Sequence, residues 1–287
     1  MTNITIILPV HEFSETVAGY LRKGFTSIKS QKGLDTLPPI ILVYTHFAEQ
    51  NGLLDFLKEF TTPVEPTDAA LQITTVKNEG KTDFCSQINL GVKNTTTEYF
   101  SILEYDDEFS TIYFKNVLKH FKVYPDVGMF LPFTIEVDDK TGSLVQIVNQ
   151  TIWSKGYVGE NGVLGFLNSR SLNDYSFYTL GGAVIKKSDF EAVGGLKANI
   201  KLSFTYEFIL RFLENGNSVF CIAKFGYKHV INRAGSLFAN FGATMPMKER
   251  KFWFEVAKRE SHFINDRYID QSSLLEPVQS LPAEPVA

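Results

Sequence analysis

Cysteine is scarce: Cys85 and Cys221 are the only two in 287 residues. They cannot form a disulfide framework and have no metal-ligand spacing, so a reducing compartment fits the chain. No run of about 18 apolar residues occurs, which excludes a spanning helix and leaves any membrane encounter peripheral. The opening residues, Met1 to Pro9, lack the basic start of a signal peptide and read as a strand. A cytoplasmic location is therefore expected. A surplus of positive charge is also missing, with 28 Lys and Arg against 32 Asp and Glu. Strong nonspecific binding to nucleic acid is not implied. There is no internal repeat. Glycine is absent from Pro9-Val10-His11-Glu12-Phe13-Ser14, straight after the first strand. Nucleotidyltransferases of related topology usually carry a Gly-rich loop there, so that class ranks last.

What the chain has is a regular alternation. Ile4–Val10, Ile40–Tyr44, Gln72–Lys77 and Tyr99–Leu103 are short apolar or β-branched runs and read as strands. Ser14–Lys29, Leu53–Phe60 and Phe84–Val92 repeat their apolar residues at helical spacing between them. This predicts an α/β fold with a doubly wound, mostly parallel sheet and helices on both faces. After residue 107 the rhythm changes: strands are expected at 127–137, 144–148, 180–186 and 219–225, and helices at 112–121, 188–193, 204–214 and 247–263. Residues 154–176 read as a long loop, and the Pro-rich end from 271 to 287 as a disordered tail. With 25 Phe, the core should be Phe-rich.

The fourth run delivers Glu104, Asp106, Asp107 and Glu108 at its end. In an open α/β sheet, ligands bind where strands end. Clustered carboxylates raise one another's pKa unless a cation or strong solvation intervenes. A divalent metal holding a phosphorylated ligand explains them economically. Taken alone, a solvated acidic turn is the alternative.

An ordered set of motifs resembles glycosyltransferase family 2, with its GT-A fold. Pro9-Val10-His11-Glu12 resembles the segment lining the family's nucleotide pocket, and Asn89 stands where the family places an Asn near the nucleotide. Glu98 to Asp107 resembles the DxD strand end, with Glu104 and Asp106 as the two acids and Asp107 following. Gly181 to Gly195 resembles the unit before the acceptor-site helix, and Tyr206 to Arg211 the end of that helix. Tyr227 to Ser236 resembles the late His and Ser segment. The wording of Glu98–Lys115 and Tyr206–Ser236 is similar to members encoded by tailed bacteriophages, which would place the protein in a host cytoplasm. The implied layout is a GT-A domain over 1–240, split into a donor half (1–107) and an acceptor half (108–240), then a helical extension over 241–270.

The resemblance implies an inverting, metal-dependent transferase acting on a nucleotide sugar, UDP-linked in first place, with Mn2+ or Mg2+. Asp106 and His229 are the expected metal ligands. Glu104 is expected at the ribose or a metal-bound water, Lys228 and Arg233 at the diphosphate, and Ser236 within the donor site. Trp153, Tyr157, Gly181, Gly182 and Tyr206 are expected on the acceptor side, with Glu160, Asn161, Asn168 and Tyr175 in the 154–176 lid. Two departures stand out. The family's helix carries a Glu-Asp pair where this chain has Phe204 and Thr205, so the base is expected at Glu207, with Asp107 counted among the catalytic acids and Asp189 and Asp174 behind them. Glu207 also stands four residues before Arg211, the spacing of a structural helix pair. The second strand ends in Tyr44-Thr45-His46 rather than in the acids that read uracil, so Thr45 or the backbone inherits that contact. A glycan, a protein or a modified DNA base are the open acceptors. A GT-A-shaped binding module without catalysis is the competing reading.

Overall fold

In a computed structural model, residues 3–62, 70–154, 163–169, 172, 178–233, 235–267, 269 and 271 are described. Tyr157, Glu160, Asn161, Asp174, Tyr175 and the tail from 272 to 287 lie outside them.

Seven consecutive apolar residues suit a strand covered on both faces, and every residue of β1 (Ile4–Val10) is buried. β2 (Ile40–Thr45) and β4 (Tyr99–Ile102) flank it in parallel, and β3 (Ile73–Asn78) lies outside β2. The crossovers are α1 (Glu15–Lys29), α2 (His46–Gln50) with α3 (Leu53–Thr61), and α4 (Phe84–Lys93). Ser14 starts α1 by accepting the Val17 amide at 3.3 Å, and Asp83 does the same for α4 through the Ser86 amide at 2.9 Å.

The second half adds β5 (Glu108–Phe109), α5 (Tyr113–Val123), β6 (Met129–Asp138), β7 (Leu144–Val148), a 3-10 turn at Gln150–Trp153, β8 (Val184–Lys186), α6 (Lys187–Ala192), α7 (Phe204–Glu214), β9 (Val219–Ile231), α8 (Leu237–Thr244) and α9 (Met247–Glu260). The sheet order is β3-β2-β1-β4-β8-β6-β9-β5, with β7 paired to β6. β8 runs against both β4 and β6, so β6 and its parallel neighbour β9 point the same way as β1. The carboxyl ends of β1, β2, β4, β6 and β9 therefore share one edge. The strand order reverses between β1 and β4, the switch point at which such sheets open a crevice.

Successive residues of β1 face opposite sides, and two apolar clusters follow. Ile7 packs with α4, α6, α7 and α9 through Ile88, Phe190, Phe208 and Trp253. Ile6 and Leu8 pack with α1, α3 and α5 through Phe25, Phe56 and Phe114. The core is Phe-rich, as its composition implies.

Besides the short α2 and β5, which the sequence does not announce, two elements differ from the sequence expectation. β9 continues past Phe225 to Ile231, through exposed Ala223, Lys224 and Phe225. Its ladder with β6 shifts register there, so simple alternation breaks and the strand reads as finished. α8 was not foreseen, being apolar yet without a buried residue. Among the described residues no helix is long and apolar enough to cross a membrane.

The 241–270 extension shares the core of the main body, because Trp253 is fully buried against it. Trp253→Ala should cost about 3–5 kcal/mol, the range for emptying a large core site. Urea unfolding measures it, and a loss below about 1 kcal/mol would mean α9 is only loosely attached.

Candidate active site

Strand direction places the chemistry. Residues following β1 (His11, Glu12), those following β4 (Glu104 to Asp107) and the end of β9 (Lys228 to Arg233) meet at the shared carboxyl edge.

Asp107 is fully buried. Its Oδ1 accepts the Val230 amide at 2.8 Å, while its Oδ2 has no hydrogen-bond partner among the described residues. The Glu104 amide donates to the Tyr227 hydroxyl at 3.0 Å, fixing the start of the turn beneath β9. One ligand atom each from Glu104, Asp107 and His229 lie within 4.8 Å of one another. Burial raises the pKa of Asp107 well above the ordinary carboxylate range, with His229 opposing and Asp106 and Glu104 adding. Burial likewise raises Glu104, again opposed by His229. For His229, burial works against the charge. Asp107, a hydrogen bond with Glu136 and the charge of Glu104 overcome it and lift the pKa to about 10. The imidazolium is thus the internal counter-ion of two carboxylates. A buried carboxylate oxygen left orphaned beside a second carboxylate and an imidazole is a donor set suited to a divalent cation such as Mn2+ or Mg2+.

Asp106 takes a different partner. Its Oδ2 accepts Arg233 Nε, and the Arg233 guanidinium lies 4.7 Å from the centre of the Tyr105 ring. The Tyr105 hydroxyl donates to Glu12 Oε1 at 3.1 Å, and the His11 ring stands 5.6 Å from the Tyr105 ring. Burial lowers the pKa of His11, with Glu12 pulling the other way. Of the expected ligand pair, His229 groups with Glu104 and Asp107, whereas Asp106 holds Arg233. The physical reason is the turn after β4, closed by the Asp107 amide donating to the Glu104 carbonyl at 3.1 Å, which sends Asp107 inward under β9.

Other expected site residues are placed as follows. Pro9 and Val10 are buried within β1, opposite Val43 and Tyr44 of β2. Thr45 is also buried. It donates to the His11 carbonyl at 2.7 Å and caps α2, so it joins two strand ends instead of presenting a free hydroxyl. Lys228 pairs with Glu108 at 2.7 Å across the β5–β9 ladder. Ser236 caps α8 through the Ala239 amide at 3.4 Å. Asn89 exchanges two hydrogen bonds with the Leu196 backbone, at 2.7 and 2.9 Å, and so pins the Gly194-Gly195 turn. Gly181 and Gly182 lie against the Tyr227 ring, where a Cβ on either would come within 2.6 Å of it. Tyr206 is buried against Phe254, and Trp153 donates its indole N–H to the Cys221 carbonyl at 2.8 Å. These contacts fix both rings, which were expected on the acceptor side. Glu136 and Gln146 escaped the sequence reading, although the polar alternation Thr134, Glu136, Asp138 along β6 was a signal.

Solved structures share this architecture. The S. aureus TarS fragment 1-349 in complex with UDP-GlcNAc superposes with a TM-score of 0.66 at 12% identity, over 90% of this chain and 66% of that one. The same fragment in complex with UDP gives 0.60 at 14% identity, over 91% and 72%. S. aureus TarS itself gives 0.59 at 13% identity, over 91% of this chain and 44% of its own. The fold is GT-A. This chain spans slightly under two-thirds of the UDP-GlcNAc-bound fragment. No family model matches it, and no curated protein matches it in sequence.

Within this GT-A frame the expected base lies in the interior. Glu207 on α7 is fully buried. Arg211 grips both its oxygens, at 2.7 and 2.9 Å, and Lys197 stands 3.1 Å away. Arg211 also donates to the carbonyls of Val193 and Gly195. Sealed between two cations and away from solvent, this carboxylate turns no face to the cleft, and through Arg211 it braces the Gly194-Gly195 turn. Asp189 lies beside Gly128, at the amino end of β6 and so at the far edge of the sheet. Glu207→Ala should cost about 3–5 kcal/mol, because two buried cations lose their partner. Chemical denaturation reads that loss. Intact stability combined with abolished turnover would return Glu207 to the chemistry.

Proposed function

We propose that this chain is a glycosyltransferase that moves a sugar from a nucleoside-diphosphate sugar to an acceptor hydroxyl. The observation that carries the reading is the grouping of Glu104, Asp107 and His229, with one ligand atom of each within 4.8 Å of the others, at the switch-point edge. The donor is read as UDP-linked, by likeness to the complexes of TarS with UDP and UDP-GlcNAc.

In the transfer, the acceptor oxygen bonds to the anomeric carbon as the bond from that carbon to the diphosphate breaks. The electron pair leaves with the diphosphate, and the acceptor proton goes to a base. Glu104, Asp107 and His229 would hold Mn2+ or Mg2+, which when bound supplies Lewis-acid neutralisation of the departing charge. Arg233, beside them on Asp106, would add a guanidinium to the diphosphate. Tyr227, wedged between Gly181, Gly182 and the Glu104 amide, keeps the floor of the site packed and dry. We read the transfer as inverting. With Glu207 sealed and Asp189 at the far edge, Asp174 is the sequence candidate left for the base. A glycan, a protein or a modified DNA base remains the acceptor class, and a phage-encoded origin the source.

A GT-A-shaped binding module is the second reading, favoured by the withdrawal of Glu207 from the cleft. Thermal denaturation with UDP and UDP-sugars, each with Mn2+, Mg2+ or EDTA, tests both site and donor, since a ligand bound only to the native state stabilises it. Metal-dependent stabilisation by a UDP ligand is expected, and Asp107→Asn should remove the metal-dependent part. Arg233→Ala should weaken nucleotide binding while metal binding persists. If no nucleotide stabilises the protein with either metal, the donor-site reading fails. If UDP-sugar binds but is neither transferred nor hydrolysed, the binding module replaces the enzyme.

A further inference from the structure

Glu136 has no place in the chemistry described above, yet it touches it. It sits on β6 opposite His229 in the β6–β9 ladder and opposite Gln146 in the β6–β7 ladder. The three residues therefore form a row across three strands. Glu136 Oε1 lies 3.2 Å from His229 Nδ1, and Gln146 Nε2 donates to Glu136 Oε2 at 2.6 Å. Both oxygens of a carboxylate that is only 14% exposed are thereby engaged.

An imidazole that ligates a metal uses one nitrogen. The other carries an N–H, and a carboxylate that accepts it fixes both the tautomer and the ring plane. Nδ1 is turned to Glu136. The remaining nitrogen, Nε2, is the one free to serve the Glu104–Asp107 side. Gln146 then holds the carboxylate as the carboxylate holds the ring. A loosely tethered imidazole would lose orientational entropy on binding a cation, whereas a ring already fixed loses less.

We propose that Glu136, braced by Gln146, is a positioning residue that presents His229 Nε2 to a divalent cation shared with Glu104 and Asp107. This rests on the metal reading given under the proposed function. It also gives the β6–β7 hairpin a role: β7 brings Gln146 to the outer side of Glu136.

The test uses the full chain and Mn2+ alone, with free Mn2+ followed by electron paramagnetic resonance. Glu136→Ala should weaken Mn2+ binding about 10- to 100-fold, the usual effect of losing such a partner. Glu136→Gln, which keeps an acceptor oxygen for Nδ1–H, should weaken it less, and so should Gln146→Ala. Thermal midpoints establish that each variant folds; should Glu136→Ala fail to fold, the other two carry the comparison. Nitrogen-15 spectra of the Mg2+-saturated protein supply a second readout, with His229 expected to keep its proton on Nδ1 in the parent chain. Parent-like Mn2+ affinity in the folded variants, or a proton found on Nε2, overturns the proposal while leaving the metal site standing. A parent chain that takes up no Mn2+ overturns the metal reading, and this inference with it.

Discussion

The hydrogen bond from the Val230 amide to Asp107 ties the exit of β4 to the end of β9, and the site depends on it. These segments lie 123 residues apart in sequence. The bond puts a carboxylate where water cannot reach it, with one of its oxygens lacking a hydrogen-bond partner among the described residues. That oxygen, Glu104 and the His229 imidazolium then form a charge balance that holds only while all three stay together. The Asp106–Arg233 pair sits beside it as a second, separate balance. One acidic turn thus serves two electrostatic tasks, because a tight turn sends neighbouring side chains in different directions.

Much of the fold was legible in sequence because parallel strands buried on both faces read as unbroken apolar runs. Ile4–Val10 and Ile40–Thr45 are such runs, and both lie where the pattern put them. The acidic end of β4 was legible for the same reason. Which acid pairs with which cation was not. Adjacent residues in a turn are indistinguishable by spacing, and the direction of Asp107 is set by a strand far along the chain. Glu207 shows a related limit. Its place on the helix could be counted, but its burial depends on Lys197 and Arg211 closing around it. Glu136 was hidden because its partners are set by ladder register. The same applies to the end of β9, where exposed Ala223, Lys224 and Phe225 disguise a continuing strand.

The residues assembled at the edge also differ in how they are held. Asn89, Thr45 and Ser236 spend their polar atoms on backbone, so they shape the rim of the site. Gly181 and Gly182 let the Tyr227 ring come close, which in turn orders the Glu104 amide. A rigid floor and a charged centre come from different parts of the chain, and the shared direction of β1, β4 and β9 is what superimposes them.

The register shifts between β6 and β9 carry one more consequence. They fall between Pro132 and Thr134, opposite Ile222 to Tyr227, just before the rung that pairs Glu136 with His229. In a sheet, moving by one residue exchanges one face for the other. The length of the segment from Ala223 to Gly226 is therefore a phase setting for the whole site. Substitutions there are open to drift, since its three side chains, Ala223, Lys224 and Phe225, face solvent. A single insertion or deletion would turn His229 to the opposite face, and would take the Tyr227 ring away from Gly181 and Gly182. Among relatives of this chain, that short exposed stretch should vary in composition and hold constant in length.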